Sequence, residues 1–435
     1  MACFECLPGG SVSGTIRVPG DKSISHRAII LSSLADGDST IRGFLNGEDS
    51  LKTMQAFRAM GVAIEQNTDQ IIVHGVGLNG LKMPTEELDM GNSGTAMRLL
   101  SGVLAGQKFN SCLIGDHSLS GRPMNRVIEP LRRMGAIIES SESGTAPLVI
   151  HGNHQLNAIT YQLPMASAQV KSCLLLAGLY ADGETVIREP ALTRDHSEHM
   201  LRGFGCEVTT QSNEIRLQGG QRLTATHIDI PGDISSAAFF LVAASIAEQG
   251  QLTLERVGIN PTRTGVIDIL RLMGANIVLS NQTEVGGEPV ADLTVRSARL
   301  QGITVPVDLV PLAIDEFPVL FIAAACAEGE TLLSGATELR VKESDRIQVM
   351  ADGLNKLGIE VVVTADGMCI RGGKITGGTL ESYGDHRIAM AFSVAALMAS
   401  DPIKISNCDN VNTSFPGFAE LASSIGMWVK KHDRD

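Results

Sequence analysis

Apolar and polar positions along the chain form a pattern that recurs six times. Each recurrence begins at a polar turn: Val18-Pro19-Gly20-Asp21, Met90-Gly91-Asn92-Ser93-Gly94, Leu163-Pro164-Met165-Ala166-Ser167, Ile230-Pro231-Gly232-Asp233, the stretch from Val307 to Glu316, and Tyr383-Gly384-Asp385-His386-Arg387. Every turn runs into an apolar stretch long enough for about three to four helical turns, then a strand-like stretch, then a second helix. The second helices end at Met60-Gly61, Met134-Gly135, Phe204-Gly205, Met273-Gly274, Leu357-Gly358 and Ile425-Gly426, glycines that lie 74, 70, 69, 84 and 68 residues apart. This period predicts an α/β chain of six units, each reading strand, helix, strand, helix, strand, strand (βαβαββ). Each terminal glycine is expected to take the left-handed conformation that closes a helix.

The two helices of a unit differ in how deeply they must lie. The first has almost no charged face, as in Phe239-Phe240-Leu241-Val242-Ala243-Ala244 or Phe321-Ile322-Ala323-Ala324-Ala325, so it must be covered on all sides. The second is amphipathic, as in Val127-Ile128-Glu129-Pro130-Leu131-Arg132-Arg133, and keeps one face in water. Strands such as Ile71-Ile72-Val73 and Val361-Val362-Val363 supply the cover, so a helix-centred, sheet-covered globule follows. Six units exceed one core, and two groups of three is the economical division. The echo of Pro19-Gly20-Asp21 in Pro231-Gly232-Asp233 marks where each group opens its first helix. A cleft is expected between the groups.

Composition narrows the function. The chain of 435 residues is 43% hydrophobic with a formal net charge of −13, one Trp and three Tyr. That acidity opposes binding to a phosphate backbone, and the scarcity of aromatics opposes base stacking, so no nucleic-acid partner is expected. The longest apolar run, Ala237 to Ala247, is too short for a bilayer, and no membrane partner is expected. Eight scattered cysteines without a signal peptide read as reduced, buried thiols of a cytoplasmic protein. Cys3 and Cys6 lack the second pair that a zinc site needs, and His196-x-x-His199 reads as a surface helix, so no metal site is expected. Neither a P-loop nor a dinucleotide fingerprint is present.

Polar chemistry collects at two places in the unit. At the first-helix starts stand Lys22, Ser23 and Arg27; Asn92, Ser93 and Arg98; Ser167, Gln169 and Lys171; Asp315 and Glu316; and Asp385, His386 and Arg387. At the turns entering the second helices stand Arg122, Arg194 and the run Lys342-Glu343-Ser344-Asp345-Arg346. Guanidinium and ammonium groups gathered at helix N-termini predict a ligand carrying several phosphate or carboxylate groups. Asp315 and Glu343, acids among these cations, point to proton transfer, since anion binding alone gains nothing from them. Asp315 acting only as a helix cap is the structural alternative. Lys22, among other cations, is a further candidate acid or base.

Read together, these residues resemble a known family. Gly20-Asp21-Lys22-Ser23 with Arg27, Gly91-Asn92-Ser93-Gly94-Thr95-Ala96-Met97-Arg98, Arg122-Pro123-Met124, Ser167-Ala168-Gln169-Val170-Lys171-Ser172, Arg340-Val341-Lys342-Glu343-Ser344-Asp345-Arg346 and Asp385-His386-Arg387-Ile388-Ala389-Met390 are similar, in order and across practically the whole chain, to the 5-enolpyruvylshikimate-3-phosphate synthases of the enolpyruvyl transferase family. The resemblance implies a monomeric, two-domain, inside-out α/β barrel with six βαβαββ repeats, three per domain. Residues 20–232 would form a domain inserted into a discontinuous one, 1–19 plus 233–435, with the active site in the interdomain cleft. It implies transfer of the enolpyruvyl group of phosphoenolpyruvate to the 5-hydroxyl of shikimate 3-phosphate with release of phosphate, and no cofactor.

By motif, the resemblance assigns Lys22, Ser23, Arg27, Ser167, Ala168, Gln169, Arg194, Asp315 and Lys342 to shikimate 3-phosphate. Lys22, Gly94, Arg122, Gln169, Arg346 and Arg387 fall to phosphoenolpyruvate. Asp315 would take the proton of the attacking hydroxyl, while Glu343 and Lys22 would manage the methylene proton and the departing phosphate. Leu99 and Thr413 depart from the glyphosate-sensitive class of the family, where Pro and Lys usually stand, whereas Gly94 is that class's small residue. The sister reaction on UDP-N-acetylglucosamine usually uses a Cys where this chain has His117. A non-catalytic anion-binding protein of the same fold would have no use for Asp315 and Glu343.

Overall fold

A computed structural model of the chain describes residues 2–433. It is mixed α/β, with helices and six small sheets. The chain divides into two compact units: one of Met1–Pro19, Pro231–Thr283 and Pro289–Asp435, and one of Gly20–Ile230 with Glu284–Glu288. The second is called the middle unit below, and the first the outer unit.

The middle unit holds helices α1 (Lys22–Leu34), α2 (Glu48–Ala59), α3 (Gly94–Ala105), α4 (His117–Ser120), α5 (Asn125–Arg133), α6 (Ala168–Gly178) and α7 (His196–Gly203). Its three sheets share one plan, a parallel pair followed by antiparallel neighbours. The sheet built on Asp36–Arg42 has that strand parallel to His227–Asp229 and antiparallel to Ile71–Val76, which pairs with Ala63–Gln66. The strand that opens this sheet therefore comes from the far end of the unit's sequence, and it closes the unit on itself. Eleven residues of α1 and ten of α3 are buried, because neither helix offers water a polar face.

The outer unit holds α8 (Ile234–Ile246), α9 (Gly265–Leu272), α10 (Phe317–Cys326), α11 (Arg346–Lys356), α12 (His386–Ala395) and α13 (Phe418–Ser424). All thirteen residues of α8 are buried, as its uncharged sequence requires. The N-terminal strand Val12–Ile16 runs parallel to Gly250–Gly258, so the echoed Pro19 and Pro231 stand where the chain leaves and re-enters this unit. One sheet departs from the expected unit. Glu330–Leu333, Met368–Arg371 and Glu360–Val363 form three strands, and only isolated parallel bridges, Gln301 to Glu328 and Thr304 to Leu332, stand where a fourth is expected. Pro306 supplies no N–H to extend that ladder, and the chain turns into a short 3-10 helix at Val307–Leu309.

The six glycines that end the second helices all have positive φ, from 82° at Gly205 to 101° at Gly135 and Gly426. An L side chain there would be strained, which is why glycine recurs. All eight cysteines are free thiols, but only Cys6, Cys173, Cys206 and Cys408 are buried; the expectation of uniformly buried thiols fails for the other four, which sit on half-exposed strand and helix-end positions. Among the described residues no helix is long and apolar enough to cross a membrane.

Candidate active site

In the middle unit, α1, α3 and α6 open on capping side chains. Asp21 accepts from the Ile24 N–H at 2.9 Å, Ser93 from Ala96 at 3.2 Å and Ser167 from Val170 at 3.4 Å. The N-termini of α3 and α6 meet directly, for Gln169 donates to Thr95 Oγ1 at 2.9 Å and accepts from Arg98 at 2.5 Å. Arg27 joins α1 to α6 and α7 by donating to Ser172 Oγ at 2.6 Å and Ser197 Oγ at 2.7 Å, and it also holds the Ser23 carbonyl at 2.9 Å. Burial brings the Arg27 guanidinium down to about 10; Glu198 and Asp21 oppose that fall, and nearby Arg194 adds to it.

Lys22 is ion-paired with Asp49 of α2 at 2.5 Å. Beneath it His26 is fully buried, with Nδ1 2.7 Å from Thr53 Oγ1. Burial, then Lys22 and Arg27, hold its pKa well below the usual value, so it stays neutral and adds no third cation. Arg122, in the turn before α5, donates to Asn92 at 2.5 Å. Gly94 opens α3 beside it: a Cβ there would lie 3.2 Å from Arg98 Nη1 and 3.3 Å from Arg122 Nη1, so glycine keeps this corner open. Ala168 is the first residue of α6, and Arg194 lies half-buried just before α7.

The outer unit gathers Asp315, Lys342, Glu343, Arg346 and Arg387 into one cluster. Asp315 Oδ1 is 3.3 Å from Lys342 Nζ and 3.5 Å from Arg346 Nη1, while the Asp315 carbonyl accepts from Arg387 at 2.8 Å. Arg346 also reaches Glu343 at 2.6 Å and Asp385 at 2.9 Å. Burial works against the charge of Arg346, but Asp385 and Glu343 outweigh it and hold its pKa above the usual value. Burial likewise works against the Asp385 carboxylate, and Arg346 overrides it to keep that pKa low. Arg346 is 1% exposed, and its Nη1 has only the long contact of 3.5 Å to Asp315 Oδ1, which leaves room for a closer anion.

One alternative is ruled out and two sequence expectations are corrected here. Asp315 is not a cap, since Glu316 holds the N-cap position of α10 without a capping side-chain bond. Lys171, grouped by position with the anion-binding residues, is instead buried between Glu189 at 3.0 Å and Glu198 at 2.7 Å, because its helix face turns inward. The His196 helix is not a simple surface helix: His196 is buried with Nδ1 2.7 Å from Glu288 Oε1. Sequence reading missed Asp49 and named Glu316 only by its place at a helix start, without its partners. Glu316 is buried, 3.6 Å from both Arg263 and Arg387 and bonded to Ser235. Asp49 and Glu316 sit in ordinary helical surroundings in sequence, and only tertiary contact reveals their partners. A cavity of about 860 Å³ in the middle unit, bordered by Leu34, Gly106 and Leu179 at the other ends of α1, α3 and α6, contains none of the expected site residues.

The EPSP synthase (3-phosphoshikimate 1-carboxyvinyltransferase) family model matches residues 7–421. A 3-phosphoshikimate 1-carboxyvinyltransferase of Alkalilimnicola ehrlichii is 61% identical over 434 residues, 99% of this chain and 97% of that protein. One from Methylococcus capsulatus is 62% identical over 428 residues, 98% of each. A solved structure of EPSP synthase from Acinetobacter baumannii superposes with a TM-score of 0.90 at 56% identity, covering both chains fully.

Proposed function

The chain belongs to the EPSP synthase family, and we propose how its residues divide the work of that family's reaction. The enzyme transfers the enolpyruvyl group of phosphoenolpyruvate to the 5-hydroxyl of shikimate 3-phosphate, releasing phosphate, in the shikimate pathway. Shikimate 3-phosphate is held by Lys22, Ser23, Arg27, Ser167, Ala168, Gln169, Arg194, Asp315 and Lys342. Phosphoenolpyruvate is held by Lys22, Gly94, Arg122, Gln169, Arg346 and Arg387. Asp315 accepts the proton of the 5-hydroxyl as its oxygen bonds to the enol carbon, and the methylene carbon gains a proton from Glu343 or Lys22. In the second half the methyl group returns that proton, the carbon–oxygen bond to phosphate breaks, the double bond reforms, and the proton taken by Asp315 leaves with the departing phosphate. Fixed cations lower the energy of the anionic tetrahedral intermediate because they need no reorganisation as charge develops.

The observation that carries this reading is the double use of Asp315. Its carboxylate faces Lys342 and Arg346 while its carbonyl fixes Arg387, so a proton acceptor and three anion-binding groups share one rigid cluster. The finer fold reading is an inside-out α/β barrel of six βαβαββ units, three in each of two domains, 20–232 and 1–19 plus 233–435. The recurrent parallel-then-antiparallel sheet plan and the six left-handed glycines support it. The net charge of −13 supports a chain that does not bind nucleic acid, and the cytoplasmic monomer without a membrane partner is the reading that the family resemblance and the scattered free thiols suggest.

The test is phosphate release from phosphoenolpyruvate with Asp315→Asn and Glu343→Gln. Each variant is expected to lose about 10²- to 10⁴-fold in kcat while calorimetry still detects shikimate 3-phosphate binding. A kcat within threefold of the parent in Asp315→Asn overturns its role as base.

A further inference from the structure

Between the strand Glu184–Arg188 and α7 the chain makes a short loop, and Arg194 stands at its end. The loop is tied at both ends. At its start the Glu189 N–H donates to the Asn213 carbonyl at 2.9 Å, and the Glu189 carbonyl accepts from Asn213 Nδ2 at 2.7 Å. At its end the Thr193 hydroxyl donates to Glu189 Oε1, and the Thr193 carbonyl faces Lys171 Nζ at 3.5 Å. Lys171 is itself ion-paired with Glu189 and Glu198, and all three side chains are 1 or 2% exposed.

Burying three charges is expensive, and an apolar trio of similar volume is often as stable or more so. Stability alone therefore gives no reason for this cluster. Its contacts do, since every member reaches an element assigned to the shikimate 3-phosphate side of the reaction. Lys171 is two residues beyond Gln169, Thr193 precedes Arg194, and Glu198 lies close enough to Arg27 to act on its charge. Arg27 also bonds Ser172 and Ser197, the chain neighbours of Lys171 and Glu198.

We propose that Lys171, with Glu189 and Glu198, is a positioning cluster that locks the 189–195 loop through Thr193 and so fixes Arg194 beside Arg27 for shikimate 3-phosphate. This rests on the assignment of Arg27 and Arg194 to that substrate. The cluster touches neither substrate, so its loss lets Arg194 sample other directions and weakens one substrate's binding. The phosphoenolpyruvate contacts made by Arg122, Arg346 and Arg387 are left as they were.

Steady-state kinetics of Lys171→Met, Lys171→Arg, Thr193→Val and Arg194→Met test it. Thr193→Val removes one hydroxyl from a half-buried residue and leaves the buried charges intact, so it remains informative if Lys171→Met does not fold. Lys171→Met and Thr193→Val are expected to raise KM for shikimate 3-phosphate about tenfold, with KM for phosphoenolpyruvate and kcat within about twofold. Lys171→Arg, which keeps the charge, is expected to recover most of the loss. If Arg194→Met raises that KM but Thr193→Val leaves it unchanged, the positioning role is overturned while the substrate assignment stands. If Arg194→Met leaves it unchanged, both fall. Equal rises in the two KM values in Lys171→Met and Thr193→Val mean a general structural role and also overturn the proposal.

Discussion

His199 faces hydrogen-bond acceptors from both sides of its ring. Nδ1 is 2.8 Å from the Gly287 carbonyl, Nε2 is 3.2 Å from Asp195 Oδ2, and Glu288 Oε1 lies 3.9 Å from Nδ1. A carbonyl and a carboxylate both only accept, so both nitrogens carry protons and the ring is an imidazolium. The hydrogen bond to Asp195, against burial and with help from the Asp195 and Glu288 charges, raises its pKa to about 9. A raised folded-state value stabilises the fold fully below the unfolded value of about 6.5, and that stability is lost as pH climbs through the folded one. Urea unfolding of the parent against His199→Gln is therefore expected to differ by about 1–2 kcal/mol at neutral pH, after discounting for solvent screening, and to converge by about pH 10. Curves that stay parallel from pH 6 to 10 refute the imidazolium. At this scale the sequence was informative where chemistry sits in consecutive positions. Lys342, Glu343 and Arg346 follow one another at a helix entry, and the structure places them in one cluster with Asp315 and Arg387. It was silent on distant partners: Glu316, named only by its place at a helix start, meets Ser235 across 81 residues of chain, and no local pattern encodes that.

Elements follow the same division between local and tertiary causes. The buried first helices and the left-handed glycines were legible because uncharged faces and helix ends are local properties. The reduced strand before α10 was not, since the missing N–H of Pro306 only matters once the neighbouring ladder is in place. Gly102 is the clearest tertiary case. Within α3 it reads as a weak point in helix propensity, costing about 1 kcal/mol against alanine. In the structure its missing side chain lets α3 approach α6 so closely that a Cβ would stand 2.2 Å from the Cys173 carbonyl. Gly102→Ala must push backbone rather than a flexible side chain, so propensity is overruled and a loss of about 1–3 kcal/mol is expected. The same shift separates Gln169 from Thr95 and Arg98 at the helix N-termini, so KM is expected to rise for both substrates that Gln169 is assigned to. Unchanged urea midpoints would show that the helices slide apart without cost.

For the whole molecule, the decisive fact is that the two units own separate cores. One cluster runs from Ile24 to Ile230, the other from Ala2 to Val18 and on from Ile234, and they share no residue. Separate cores relax the all-or-none coupling of a single domain. Scanning calorimetry is expected to give a calorimetric enthalpy larger than the van't Hoff value, resolving into two transitions, of which Gly102→Ala lowers only the middle unit's. Ligand then labels the units chemically. Seven of the nine residues assigned to shikimate 3-phosphate, Lys22, Ser23, Arg27, Ser167, Ala168, Gln169 and Arg194, lie in the middle unit, and Asp315 and Lys342 lie in the outer one. Shikimate 3-phosphate at a hundred times its dissociation constant contributes about 2.7 kcal/mol, which for a unit of this size raises a midpoint by roughly 5–10 °C. That rise is expected in the transition that Gly102→Ala identifies, with a smaller one in the other. A single transition that moves as one in both the variant and the ligand experiment would mean that the two cores melt cooperatively, and the substrate's binding energy would then belong to the chain as a whole.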